Sequence, residues 1–184
     1  MSTDGETRPV ARLTVLAGPS GTGRESVVEL VRARSPFVWT PVPATTRPRR
    51  DGELAGIDRV FLDPADFDQL AGSGELLEWS RIGPYRRGTP VGPVRARLRA
   101  GQPVLLPLDL PGAVRVRAAM PEEARLVLLR PPGYRPDPAV AAVLDHTVRY
   151  DRTEQVIDEL VGLLGSSVSA PVRPLPSGQP RPPD

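Results

Sequence analysis

Short apolar runs alternate with amphipathic stretches over most of the chain. Leu13 to Ala17 predicts a strand, Glu25 to Arg34 a helix and Val38 to Val42 a second strand, which together make the opening of an α/β fold. Val60 to Leu62 and Leu76 to Trp79 predict short strands around a helix over Pro64 to Ala71, where Pro64 suits a first helical turn. Thr89 to Ala100 has a helical pattern. Pro103 to Leu110 is almost continuously apolar, as in a strand covered on both faces, although Pro107 removes one ladder donor. Arg125 to Leu129 repeats that pattern, and Thr147 to Tyr150 predicts a last strand. In Thr153 to Leu164 the apolar residues Val156, Ile157, Leu160, Val161 and Leu164 fall on one helical face.

A chain of 184 residues suits one domain with its own core. Its 39% hydrophobic and 25% charged residues are those of a soluble globular protein, but 24 Pro and 17 Gly exceed ordinary usage. The segment 165–184, rich in Pro, Ser and Gly, is expected to be a disordered tail, and the polar stretch 1–10 a flexible N-terminus. That stretch lacks the apolar core of a secretory signal, and no apolar run approaches the ~20 residues of a membrane span, so a cytoplasmic protein without membrane contact is expected. All 24 basic residues are arginine, so any site that ordinarily uses lysine must use arginine here or do without. The formal net charge is only +2 and the charges are interspersed, which argues against a nucleic-acid partner and leaves small anions open. With no cysteine and one histidine, His146, disulfides, thiol chemistry and thiolate zinc sites are excluded, and a metal held by protein side chains alone is not expected.

Gly18-Pro19-Ser20-Gly21-Thr22-Gly23-Arg24-Glu25-Ser26 follows a buried-type strand and opens a helix. There, glycines let backbone N–H groups surround a phosphate at a helix N-terminus. The usual form of such a loop, G-x-x-x-x-G-K-[ST], uses lysine on the β/γ-phosphates and a hydroxyl for Mg²⁺. Arg24 stands in place of the lysine and Glu25 in place of the hydroxyl, with Ser26 offering a displaced one. The guanidinium keeps the charge but is bulkier than an ammonium, and the Glu25 carboxylate competes with a triphosphate for the same field. The alternative is a glycine-rich strand-to-helix turn that binds nothing.

The loop, with Ala44-Thr-Thr-Arg-Pro-Arg-Arg-Asp-Gly-Glu53 after it, resembles the guanylate kinases, which have a phosphate loop followed by a T-T-R-x-x-R-x-G-E segment. The likeness continues through Gly56-Ile-Asp58, Phe61, Glu75 to Trp79, Gly88-Thr-Pro-Val91, Asp109 with Gly112, and Pro131-Pro132. It implies a three-layer, P-loop NTPase-like α/β fold with a mostly parallel sheet over 11–164, and a small GMP-binding-type subdomain over about 38–90. By the resemblance Arg47 and Arg50 hold the phosphate of GMP, with Glu53 in the same segment. Glu78 accepts from guanine N1–H and the amino group, Thr89 assists it, and Arg24 and Asp109 are candidate catalytic residues. Without the resemblance Arg47 to Arg50 is a solvated basic turn, Glu78 a strand-end charge and Thr89 a helix N-cap.

The chain also departs from that pattern. Pro43 replaces a small hydroxyl residue, Pro107 replaces an acid that reads the base, and Arg59 and Arg87 stand where the family has two phosphate-binding tyrosines, with Tyr85 close by. The segment Gly133 to Leu144 is too short for the helical lid whose arginines reach over the triphosphate, leaving Arg130 and Arg135 as substitutes. The leading expectation is a binding protein for GMP or another phosphate-bearing ligand, with phosphoryl transfer weak or lost. The alternatives are an active guanylate kinase using ATP with Mg²⁺, and a module that binds a phosphoprotein through the former GMP site.

Overall fold

The structure, a computed structural model, describes residues 13–166; the N-terminus 1–10 and the tail beyond residue 166 lie outside the described residues. Four parallel strands form the central sheet in the order β6 (Val104–Leu108), β1 (Leu13–Ala17), β7 (Ala124–Arg130) and β8 (His146–Arg149). β1 is buried along its whole length between two parallel neighbours. Side chains alternate across a pleat, so β1 serves both faces. Leu13, Val15 and Ala17 join Val104, Leu106 and Leu108 under α3 (Val91–Arg99) and α4 (Leu110–Ala119). Leu16 joins Leu105, Val127 and Leu129 under α1 (Arg24–Arg34) and α6 (Thr153–Ser166). The result is the expected three-layer α/β fold with a parallel sheet.

A second four-stranded sheet, ordered β3 (Val60–Phe61), β2 (Ala44–Thr45), β5 (Tyr85–Pro90) and β4 (Leu76–Ile82), is mixed. β2 and β3 run parallel, whereas β5 is antiparallel to both β2 and β4. Leu77 on β4 packs into the cluster under α3 and α4, which ties this sheet to the main core. The helix α2 (Pro64–Gly72) starts as expected at Pro64, with Asp63 capping the N–H of Asp66.

Several elements differ from expectation. Val38 to Val42 does not form a strand; only Trp39 makes a bridge, to Val104 at the edge of β6. Pro41 and Pro43 lack the N–H groups that would extend that ladder. β5 was not expected, because Tyr85-Arg-Arg-Gly-Thr-Pro90 has no apolar alternation, and it places Thr89 in a strand rather than at a helix N-cap. α4 was also not expected, although Asp109 followed by Pro111 is a helix-start signal, and Asp109 does accept from the Gly112 N–H at 2.7 Å. Gly165 and Ser166 complete α6 rather than opening the tail.

Pro107 sits within β6, paired with Leu16, without breaking the sheet. The N–H of Leu105 points outward to the Trp39 carbonyl, so the missing N–H of Pro107, two residues on, also lies on the outer edge. No bond to β1 is lost.

Candidate functional site

The glycine-rich loop joins β1 to α1. Gly21 and Gly23 adopt left-handed backbone at φ 79° and 74°, where a side chain would be strained, and Gly23 caps α1. Gly18 is required for a different reason, since a Cβ there would lie 2.9 Å from the Leu129 carbonyl oxygen of β7. The loop is thus pressed against the sheet, with the α1 N-terminus facing a cleft of about 490 Å³. Ser20 to Ser26 line it together with Glu78, Ser80, Arg81, Arg87 and Asp109.

Arg24 does not extend into this cleft as a lone cation. Its guanidinium donates to the carbonyl oxygens of Gly18 and Leu108, bracing the loop against the end of β6. Burial lowers its pKa, and the Coulomb attraction of Asp109 and Glu25 opposes that shift. Asp109 is the N-cap of α4 as well as a wall of the cleft. Glu25, one residue into α1, points at β5 and pairs with Arg87 at 3.3 Å.

Glu78 and Thr89 meet across the β4–β5 ladder, where the Thr89 hydroxyl donates to Glu78 Oε1 at 2.7 Å. Gly88 permits this approach, because a Cβ on it would lie 2.9 Å from both the Glu78 carbonyl oxygen and the Trp79 Cβ. Glu78 is only 6% exposed. Desolvation raises its pKa, while the Thr89 hydrogen bond and the charges of Arg87 and Arg115 act in the opposite direction. A buried carboxylate at a cleft wall, held by one hydroxyl, is an acceptor set for paired N–H donors.

The arginines expected to hold phosphate are distributed differently. Arg47 makes a two-pronged pair with Glu53 and lies over the Phe61 ring at 5.7 Å from its centroid. Glu53 also accepts from the Arg50 backbone N–H at 2.9 Å and lies 3.7 Å from Arg59 Nε. The Arg50 side chain is exposed. Arg59 and Arg87 line a second cavity of about 460 Å³, with Glu25, Thr89 and Pro107. Arg87, Glu25 and Pro107 line both cavities, so the two are parts of one cleft.

Glu53 therefore organises the T-T-R segment as much as any arginine does. The Arg47 hydrogen bond, then the Arg50 N–H, hold its carboxyl at about 2, down from 4.5. A depressed carboxyl pKa stabilises the fold above the unfolded-state value, and that stabilisation is lost as pH falls from about 4.5 to about 2. Glu53→Gln is expected to flatten the loss of Tm over this acid range, and an unchanged acid slope in pH-resolved melting would remove Glu53 from that role.

The cleft also contains residues that sequence reasoning missed. Ser80 and Arg81 on β4 line it, and the Tyr150 hydroxyl lies 3.9 Å from where a Gly23 Cβ would stand. Nothing in the spacing of these residues marks them out, because β4 was expected to end at Trp79. Arg130 and Arg135 do not line the phosphate-loop cleft; Arg130 instead borders a separate cavity with Pro136 and His146. Residues 131–145 carry a single turn of helix, α5 (Pro138–Ala141), between β7 and β8. Among the described residues no cluster of three His, Cys, Asp or Glu side chains is placed to hold a metal, and no helix is long and apolar enough to cross a membrane.

The family model for guanylate kinase matches residues 10–137. A guanylate kinase of Thermobifida fusca (strain YX) is 54% identical over 123 residues, covering 67% of this chain and 62% of that protein. One from Nocardia farcinica (strain IFM 10152) is 49% identical over 148 residues, covering 79% of this chain and 74% of the relative. The chain thus spans about 62% of the length of relatives such as the Thermobifida protein. The crystal structure of guanylate kinase from Anaplasma phagocytophilum superposes with a TM-score of 0.66 over 89% of both chains at 22% identity, a likeness of fold. The family match over residues 10–137, which include the phosphate loop and the T-T-R segment, together with identities near one half, makes this chain a member of the guanylate kinase family.

Proposed function

We propose that this chain binds GMP in the cleft between the phosphate loop and β4–β5 and transfers the γ-phosphoryl group of ATP to it, slowly. The observation that supports this reading is that the buried Glu78–Thr89 pair and the N-terminus of α1 behind its glycine loop border one cleft. The relatives named guanylate kinase favour the same activity. In the reaction an oxygen of the GMP phosphate attacks the γ-phosphorus and the bond to the β–γ bridging oxygen breaks, giving ADP and GDP. Protein residues contribute mainly position and charge to such a transfer. Backbone N–H groups of the loop cradle the donor phosphates, and Arg87, Arg59 and the Arg47–Arg50 segment gather the acceptor phosphate. Mg²⁺, if bound with ATP, would supply charge neutralisation for the transferred phosphoryl group; the Ser26 hydroxyl at the start of α1 would be the oxygen donor toward it, because the Glu25 carboxylate is taken by Arg87.

The slow rate is part of the reading. Arg24 is engaged by the Gly18 and Leu108 carbonyls, Glu25 is paired with Arg87, and among the described residues neither Arg130 nor Arg135 lines the cleft. A coupled assay should show ADP release that needs both nucleotides, far below the ~1–100 s⁻¹ usual for kinases. Calorimetric titration with GMP runs beside it, and absent GMP binding rejects the site. GMP binding without any turnover at high protein concentration selects a second reading, a binding protein, which the engagement of Arg24 favours. A phosphopeptide that binds in competition with GMP, and loses binding in Arg50→Ala, would assign the cleft to a phosphoprotein partner.

A further inference from the structure

We infer that Glu25 is a built-in counter-anion for Arg87, exchanged for the acceptor phosphate when ligand enters, so that the pair sets the affinity of the site. This rests on the acceptor site proposed above. Glu25 Oε1 lies 3.3 Å from the Arg87 guanidinium, joining the first turn of α1 to β5 across the cleft. Both residues border the phosphate-loop cavity and the cavity that contains Arg59, so the ion pair stands at their junction.

The charges around the pair explain its presence. Arg87 lies close enough to Arg24 and to Arg59 to lower the pKa of each, and Glu25 offsets both effects. Three guanidinium groups are thereby gathered around one cleft, and Glu25 is the carboxylate that offsets their repulsion on the α1 side. The Glu25 side chain is 66% exposed and that of Arg87 28%, so the carboxylate is the partner free to swing away. An ion pair this exposed is weak and easily exchanged. A phosphate dianion offers Arg87 two charge-assisted hydrogen bonds where Glu25 makes one, which drives the exchange forward. The carboxylate left beside the bound phosphate then repels it, and the wild-type sequence accepts that cost in affinity.

The test is a double-mutant cycle read by calorimetric titration of GMP into wild type, Glu25→Gln, Arg87→Gln and the double variant. Glu25→Gln should bind GMP about threefold to tenfold tighter than wild type, as an exposed pair and one nearby repulsion are relieved. Arg87→Gln should bind about tenfold weaker, and adding Glu25→Gln to it should recover only a minor part of the gain. The melting temperature of Glu25→Gln should fall slightly at low salt and match wild type at high salt, as Arg59 and Arg87 lose their screening carboxylate. Wild-type binding with no tightening in Glu25→Gln overturns the inference while leaving the acceptor site intact. An equal tightening with Arg87 already removed also overturns it, by showing Glu25 to act independently of the pair. GMP binding by none of the four proteins overturns both the inference and the site.

Discussion

The double substitution Arg24→Lys, Glu25→Ser is expected to raise the rate of ADP formation from ATP and GMP by about 100-fold, equivalent to about 2.7 kcal/mol of transition-state stabilisation. Two physical changes produce it. The guanidinium of Arg24 is braced between the Gly18 and Leu108 carbonyl oxygens, so its charge is spent on the loop itself. A compact ammonium on a flexible stem can leave those carbonyls and follow the β/γ-phosphates, which a planar fork cannot do in the same space. At the next position a hydroxyl restores the ligand that P-loops usually offer to Mg²⁺ and removes a carboxylate from the field of the triphosphate. The change lies on the first turn of α1, where Arg24 is half-buried, Glu25 is exposed and Gly23 carries the cap, so Tm should move little. Arg24→Lys alone should recover part of the rate, and rates within threefold of wild type for both variants would show that the reduced lid, not the loop, limits the reaction. Calorimetry of ATP binding separates the two outcomes, since the loop substitutions should also tighten ATP.

Legibility in the sequence followed the kind of interaction involved. β1, α1, β6, β7 and α6 were readable because each buries a continuous run or one helical face, and burial writes itself into local spacing. β5 was not, since Tyr85 to Pro90 is held by its partners β4 and β2 rather than by alternation of its own. The extended stretch around Trp39 failed as a strand because two prolines deny it donors, an effect visible in the sequence but outweighed there by its valines. Glu78, Thr89 and the phosphate loop could be named from motif order and do lie around one cleft. The pairing of Glu25 with Arg87 and the engagement of Arg47 by Glu53 could not be read in advance, because each joins residues by tertiary geometry or by a turn whose side-chain directions no spacing rule supplies.

Glu78→Gln is expected to weaken GMP binding about 100-fold while making the protein without ligand more stable at neutral pH. In the proposed complex the ionised carboxylate would accept two charge-assisted hydrogen bonds from guanine N1–H and its amino group, whereas the amide would keep one acceptor but turn an N–H toward a donor. That mismatch sits in a position only 6% exposed, where water cannot repair it. The stability change has the opposite sign because burial raises the Glu78 pKa, so the folded protein binds its proton more tightly than the unfolded chain does. Stability contributed by the protonated form is complete below the unfolded carboxyl pKa and is lost as pH rises through the folded one. Glutamine remains neutral throughout, accepts from the Thr89 hydroxyl and avoids that loss. The difference in Tm between Glu78→Gln and wild type should therefore be small in acid and grow as pH rises, while calorimetry shows the loss of GMP. A variant that keeps wild-type GMP affinity would take Glu78 out of base recognition, and one less stable than wild type at every pH would show that its carboxylate is held by more than Thr89.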